Sequence, residues 1–286
     1  MDQARLLERI AQLPSLSTSV TRIATLLTNE DATVADFEEI LKYDPALTGN
    51  LLRIANSALY SPRQPLESVG QAVTWLGRRR LLDVVAGASF QAVLPARLPG
   101  YDMEATAFWQ HSIAVAVLSQ TLGDRLGLPE PELIFPAGLL HDLGKLAMAS
   151  FLDEELEELL RALSKEGADI VDAEREAVGH DHAEVGGMLS EHWRLPERVV
   201  WAARWHHRPA EAPEDVDARL VGLVHLADGL AVSLGFGADV GQLARRIDPG
   251  VASALQVAPR VLEQVACDAV AVIQEQGRMT RPEDQR

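Results

Sequence analysis

The 286-residue sequence has little that would cross-link it or carry it into a membrane. It contains a single cysteine, Cys267, so no disulfide can form within the chain, and a reducing compartment is indicated. No stretch reaches the roughly 18 unbroken apolar residues that a membrane-spanning helix needs, and the first ten residues are already charged. We therefore expect a cytoplasmic protein that does not span a membrane.

Basic side chains are also scarce. The 26 Lys and Arg residues stand against 42 Asp and Glu residues, which gives a formal net charge of -16. Such a chain repels a polyphosphate surface, so general nucleic-acid binding is not expected. A phosphate-containing ligand would need a local positive site, which bound metal ions could provide. The acidity can also serve solubility alone.

Alternating apolar and polar runs of the kind that form strands are hard to find, whereas helical periodicity recurs along the chain. Leu262, Val265, Ala269 and Ile273, for example, fall on one face of a helix. Proline and glycine separate the periodic segments. These patterns predict an all-α fold, a multi-helix bundle of two subdomains.

Histidine is absent from the first 110 positions, and all eight histidines lie between His111 and His225. This asymmetry suggests two functional halves joined by LPARLPGYD, residues 94–102. We predict an N-terminal helical subdomain over residues 1–100 and a site-bearing helical subdomain over residues 101–277. Residues 278–286 have little apolar content, so a flexible tail is expected there.

The second half holds seven side chains of metal-ligating type on predicted helices. Asp228 is the most informative, because apolar residues surround it on its helical face and a lone buried carboxylate is costly. Imidazole nitrogen and carboxylate oxygen together suit divalent iron, manganese, zinc, nickel or cobalt. The predicted ligands are His111, His141, Asp142, His182, His206, His207 and Asp228.

Adjacent ligand pairs suggest two metal ions rather than one. Neighbours at a helix end diverge by about 100 degrees, so His141–Asp142 and His206–His207 can each address two positions. Asp142 is then the natural bridging ligand. Lys145 lies three residues beyond Asp142 and should return to the same face, where its ammonium could hold a phosphate. Asp142 and Lys145 are therefore the candidate catalytic residues.

Each of these residues also has a simpler interpretation. A single histidine on an apolar face is more often a hydrogen-bonded core residue, and a His-His pair can cap a helix C-terminus. Lys145 could be an ordinary solvated charge. The joint pattern favours a metal site over these separate explanations. His180, His192 and His225 are not expected to be ligands.

The order of these residues resembles the HD superfamily of metal-dependent phosphohydrolases, and in particular the HD-GYP phosphodiesterases. The resemblance is carried by His111, His141, Asp142, Lys145, His182, His206, His207 and Asp228. The loop after the double histidine, RPAEAPED, lacks the Gly-Tyr-Pro signature of that group, which argues against cyclic-di-GMP as a substrate. A third metal is not expected, because the corresponding position is Ala107.

Motifs in the first half make the chain resemble the HD-related output domain, HDOD, and this resemblance covers roughly residues 10–275. Asp44-Pro45, Asn56-Ser57 and Gly77 carry this likeness at their spacings. We expect these first-half motifs to be structural, with Asp44-Pro45 starting a helix, Asn56 ending one and Gly77 terminating another. The resemblance implies a regulatory module of bacterial signalling.

Three functions compete at this point. The leading hypothesis is a regulatory protein that senses a metal, phosphate or nucleotide ligand and binds signalling proteins in trans. The alternative is an active metal-dependent phosphohydrolase or phosphodiesterase acting on a nucleotide or cyclic (di)nucleotide. The third is a structural interaction domain in which the polar cluster is a hydrogen-bond network without metal.

Overall fold

The computed structural model describes residues 3–13, 19, 22–23, 26, 31–41, 43–57, 60, 62–129, 133–237, 239–241 and 247–278. Within them the chain is almost wholly helical, so the all-α prediction is confirmed. Of the predicted tail, residues 279–286 lie outside the described residues.

The described residues form fourteen α-helices. They are α1 (Gln3–Gln12), α2 (Val34–Leu41), α3 (Pro45–Ala55), α4 (Val69–Val93), α5 (Ala105–Leu126), α6 (Ile134–Leu140), α7 (Gly144–Glu154), α8 (Leu156–Leu163), α9 (Ile170–Val178), α10 (His182–His192), α11 (Glu197–Trp205), α12 (Ala218–Ser233), α13 (Pro249–Ala254) and α14 (Pro259–Arg278). Two-residue strands β1 (Arg97–Leu98) and β2 (Met103–Glu104) pair antiparallel with Arg97 opposite Glu104. A short 3-10 turn, Pro99–Tyr101, connects them.

The first-half motifs have the structural roles that the sequence predicts. Asp44 caps α3, its Oδ1 accepting a hydrogen bond from the Leu47 amide at 3.0 Å, and Pro45 opens the helix. Asn56 ends α3 and exchanges hydrogen bonds with the backbone of Leu66, which fixes the following loop. Gly77 interrupts α4 with a φ of 67°, a left-handed conformation that glycine adopts without a Cβ clash.

Helix α5 is central and packs against α6, α12 and α14. Phe108 on α5 meets Phe90 on α4 edge to face, with ring centroids 5.6 Å apart, so the apolar core continues across residues 94–102. The proposed division at residue 100 remains a prediction. Among the described helices, α5 included, none has the length and apolar content needed to cross a membrane.

Helices α7 and α10 approach each other at two glycines. A Cβ on Gly144 would lie 1.9 Å from the carbonyl oxygen of His182 and 2.6 Å from the amide nitrogen of Gly186. Only glycine allows the backbones to come this close. The contact brings the turn that carries His141 and Asp142 against the start of α10.

Candidate metal centre

Five separate segments bring the seven predicted ligands together. α5 carries His111, the turn between α6 and α7 carries His141 and Asp142, and α12 carries Asp228. His182 opens α10 behind the N-cap Asp181, while His206 and His207 follow the end of α11. The imidazoles of His111, His141, His182 and His206 are fully buried, as is the carboxylate of Asp142. His207 is half-buried.

Four imidazole rings are oriented by their Nδ1 atoms. A backbone carbonyl or carboxylate lies within hydrogen-bond distance of each one, and since such oxygens only accept, Nδ1 carries a proton. In the neutral ring, Nε2 is then left with a lone pair that can bind a metal. The Nδ1 partners are Phe236 O for His111 (3.0 Å), Gly138 O for His141 (2.7 Å), Glu174 Oε2 for His182 (2.7 Å) and Ala203 O for His206 (3.0 Å).

The Asp142 carboxylate lies between two pairs of these Nε2 atoms. Its Oδ2 is 3.4 Å from Nε2 of His111 and 3.5 Å from Nε2 of His141. Its Oδ1 is 3.2 Å from Nε2 of His182 and 3.6 Å from Nε2 of His206. One carboxylate therefore belongs to two clusters, with one oxygen directed at each.

The remaining two residues extend one cluster each. Asp228 Oδ1 is 3.2 Å from Nε2 of His111 and 3.8 Å from Nε2 of His141. His207 Nε2 is 2.9 Å from Nε2 of His182. We name the two sets by their members: cluster A is His111, His141, Asp142 and Asp228, and cluster B is Asp142, His182, His206 and His207.

The spacing within these clusters fits a bound metal ion. Ligand atoms about 2.0–2.2 Å from a tetrahedral ion lie about 3.3–3.6 Å from one another, and the Asp142 contacts of 3.2–3.6 Å match that separation. Nε2 of His141 and Nε2 of His206 are buried and have no hydrogen-bond partner in the described part of the chain. A buried nitrogen without a partner costs about 1–3 kcal/mol. A cation shared with Asp142 would remove that cost, so the donor set is placed to hold a metal.

Electrostatics hold Asp142 and His206 in the forms that bind a metal and favour the protonated form of His182. Burial opposes ionisation of Asp142, but the charge of Lys145 and the nearby imidazoles hold the pKa of this carboxyl well below its usual range. Burial lowers the pKa of His206 to about 4, so its ring is neutral at pH 7. Burial also acts on His182, but Glu174 and Asp142 outweigh it and raise the pKa of His182 to about 10. A metal at Nε2 of His182 would compete with that proton.

Glu174 belongs to this centre but was not among the residues predicted from the sequence. This fully buried carboxylate accepts hydrogen bonds from the backbone amide of His182 at 2.8 Å and from the hydroxyl of Tyr101 at 2.8 Å, besides facing His182 Nδ1. A carboxylate behind a ligating imidazole fixes its orientation and raises its basicity. The sequence does contain a pattern that points to Glu174. This carboxylate lies on the same helical face as the apolar residues Ile170 and Val178, just as Asp228 lies among apolar residues on its own helix.

Lys145 occupies a different environment from the one expected of a phosphate-binding residue. It is fully buried, and its Nζ donates to Oδ2 of Asp142 and to Oδ2 of Asp239, each at 2.8 Å. Its charge is thus shared between two carboxylates, beside the ring of Tyr101. The Asp239 contact was not foreseen from the sequence.

The three other histidines lie outside both clusters. His225 is buried, its Nδ1 donating to the carbonyl of His206 at 2.7 Å and its Nε2 accepting from the Asp248 amide at 2.8 Å, so it holds the end of α11 in place. His180 faces Glu184, and His192 is exposed at the end of α10.

The fold and the site together define a class of protein: an all-helical protein with a buried centre of histidines and aspartates. The family model of the HDOD domain matches residues 13–209, and the chain belongs to that family. The HDOD resemblance of the first-half motifs is therefore confirmed.

Solved structures share the fold. A candidate phosphohydrolase from Shewanella amazonensis is 25% identical with a TM-score of 0.74, the match covering 97% of this chain and 98% of that one. A candidate signal transduction protein from Marinobacter aquaeolei is 22% identical with a TM-score of 0.75, covering 97% of this chain and 65% of that one. An uncharacterised protein of Treponema pallidum is 27% identical over 218 residues, which are 74% of this chain but 41% of that relative. The chain thus matches less than half the length of this curated relative.

Proposed function

We propose that this chain is a bacterial signal-transduction regulatory protein whose histidine and aspartate centre binds two divalent metal ions. HDOD membership supports the regulatory role. The observation that carries the metal proposal is Asp142, whose two carboxylate oxygens face separate pairs of buried imidazole nitrogens. A hydrogen-bond network without metal would leave Nε2 of His141 and of His206 with no partner among the described residues.

The ligands divide between the two ions as the clusters do. His111, His141 and Asp228 hold one ion, His182, His206 and His207 hold the other, and Asp142 bridges them. This set of nitrogen and oxygen donors suits iron, manganese, zinc, nickel or cobalt. Glu174 and the backbone carbonyls fix the imidazoles that carry the ligand atoms.

The regulatory role requires a surface for signalling proteins in trans. An open groove of about 490 Å³ runs along α11, where the indoles of Trp201 and Trp205 line it with Val200. The same helix ends at His206, so a partner bound there would contact the element that positions cluster B. The name of the Marinobacter aquaeolei protein, a candidate signal transduction protein, is in keeping with this role.

Metal content tests this proposal. Protein produced without a polyhistidine tag and equilibrated with Mn²⁺ or Fe²⁺ is expected to retain two metal equivalents per chain after gel filtration, measured by elemental analysis. His192→Ala, at an exposed histidine outside both clusters, should retain the same two equivalents. Less than one equivalent in the wild-type protein would leave the third hypothesis, a metal-free interaction domain, in its place.

Metal-dependent phosphohydrolysis, with a nucleotide or cyclic (di)nucleotide as substrate, is the second candidate function. Two divalent ions would supply an activated water and neutralise phosphate charge. The residues support this chemistry, since Lys145 and the imidazoles hold Asp142 ionised and His207 lies at the half-buried edge of the centre. The name of the Shewanella amazonensis structure, a candidate phosphohydrolase, points the same way.

Turnover distinguishes this candidate from a purely regulatory role. Metal-loaded protein should hydrolyse bis(p-nitrophenyl) phosphate or a nucleotide, and His141→Ala should lower the rate by more than about a hundredfold, because even the outer partners of ligands cost 10–100-fold. His192→Ala serves as the control for removing a histidine. Equal rates for wild type and His141→Ala, or no turnover with any of the five metals, would eliminate the enzyme.

A further inference from the structure

The metal centre reaches the surface at His207. The other four imidazoles are fully buried, whereas His207 is half-buried and lines a surface pocket of about 30 Å³. Three arginines line the same pocket: Arg175 from α9, Arg204 from α11 and Arg208 just after α11. In a chain with 26 basic residues and a net charge of -16, this convergence of guanidinium groups beside a metal ligand requires a reason.

Carboxylates hold these arginines in place without using all their donors. Arg175 Nε is 2.6 Å from Asp181 Oδ2, Arg204 Nη1 donates to Glu191 Oε1 at 3.0 Å, and Arg208 pairs with Asp172 through Nη2. Each of these contacts uses one nitrogen of a guanidinium that has five N–H donors in a planar fork. Arg208 also places Nη1 3.9 Å from Oε2 of Glu211. The groups are therefore pre-positioned, and each can still donate to a second anion.

We propose that this pocket binds a single phosphate group, either orthophosphate or the terminal phosphate of a phosphomonoester. The inference rests on the proposed metal centre and names its ligand class. Guanidinium forks match phosphate oxygens in pairs. The lining holds three arginines and the carboxylates of Asp181 and Glu211, and Asp172 and Glu191 pair with two of the arginines, so the proposal rests on the remaining guanidinium N–H donors and not on an excess of positive charge. His207 adds an edge shared with cluster B. Lys145 donates to Asp142 and Asp239, so in this proposal the arginines orient the phosphate in its place.

The volume of the pocket limits the size of the group that it can bind. About 30 Å³ is a small fraction of the 300–1,000 Å³ that drug-sized ligands occupy. The side chains of Val171 and Trp205 form part of its wall. A pocket of this size would admit at most one phosphoryl group between the arginines, and the two bases of a cyclic dinucleotide would have to remain outside. Phosphomonoesters are thus preferred over cyclic dinucleotides.

Calorimetric titration of the metal-loaded, full-length chain with orthophosphate tests the proposal. Arg175→Met and Arg208→Met should each weaken phosphate binding at least about tenfold, because each removes charge-assisted hydrogen bonds to the phosphate. Arg161→Met is the matched control. It also removes one positive charge and breaks one ion pair with a carboxylate, that of Glu158, but at an exposed position outside the pocket. The control should bind phosphate as the wild type does.

Three further measurements make each outcome decisive. Metal content is determined for every variant, so that failure of the metal centre is seen separately from failure of the pocket. Glucose 6-phosphate should compete with orthophosphate, and a cyclic dinucleotide should not. Phosphate binding that is absent, that is unaltered in Arg175→Met and Arg208→Met, or that is displaced better by the cyclic dinucleotide would overturn the proposal.

Discussion

Replacement of Asp142 by asparagine is expected to abolish metal binding at both positions rather than at one. The amide substitutes an N–H donor for one of the two oxygens that face the imidazole pairs, and it removes the negative charge shared by both clusters. A terminal ligand such as His111 belongs to one cluster, so its loss should spare the other ion. Because Asp142 is shared by both clusters, we expect the single change Asp142→Asn to remove two metal equivalents per chain.

The control for this variant lies on the helix that follows. Asp153→Asn makes the same chemical change at an exposed position of α7 and should keep both metal equivalents. Both proteins are compared by elemental analysis after equilibration with Mn²⁺, with circular dichroism to confirm that they are folded. Retention of one full equivalent by folded Asp142→Asn would mean that the carboxylate does not bridge.

Gly144→Ala is expected to be the most destabilising small substitution near the centre. Its Cβ would lie 1.9 Å from the His182 carbonyl oxygen, and because this atom belongs to the backbone of α10, only displacement of the helix can relieve the clash. Overpacking of this kind costs about 3 kcal/mol. Since His182 would move with α10, occupancy of cluster B should fall as well.

Gly49→Ala provides the comparison. Gly49 is exposed within α3, and a Cβ there would meet nothing within 4 Å. Alanine in an open helical position should stabilise the protein by about 0.5–1 kcal/mol. Urea unfolding of both variants gives the two free energies. If Gly144→Ala unfolds at the same denaturant concentration as Gly49→Ala, α7 and α10 do not pack as closely as described.

Local patterns in the sequence were sufficient for the fold class and for the first-half motifs. Asp44-Pro45, Asn56 and Gly77 act through their own backbone and nearest turns, so their roles follow from residue chemistry at short range. Helical periodicity likewise reports which residues face a core. The seven candidate ligands could be named because imidazoles and carboxylates on apolar faces are costly without partners.

Contacts between distant segments could not be read from the sequence. Lys145 was expected to offer its charge to a phosphate because of its helical spacing from Asp142, but Asp239, 94 residues further on, shares that charge. Spacing within a helix says nothing about such a partner. Arg175 on α9 and Arg208 just after α11 line one pocket for the same reason, because segments that are distant in the sequence meet there. The division of the chain at residue 100 also depends on long-range packing and stays a prediction.

Anomalous diffraction from crystals of the manganese-loaded protein tests the central claim most directly. Two peaks about 3.5–4 Å apart are expected, one on each side of the Asp142 carboxylate. One peak should lie among the Nε2 atoms of His111 and His141, and the other among those of His182 and His206. Data that show no peak at Asp142, or manganese only at surface carboxylates, would contradict the account.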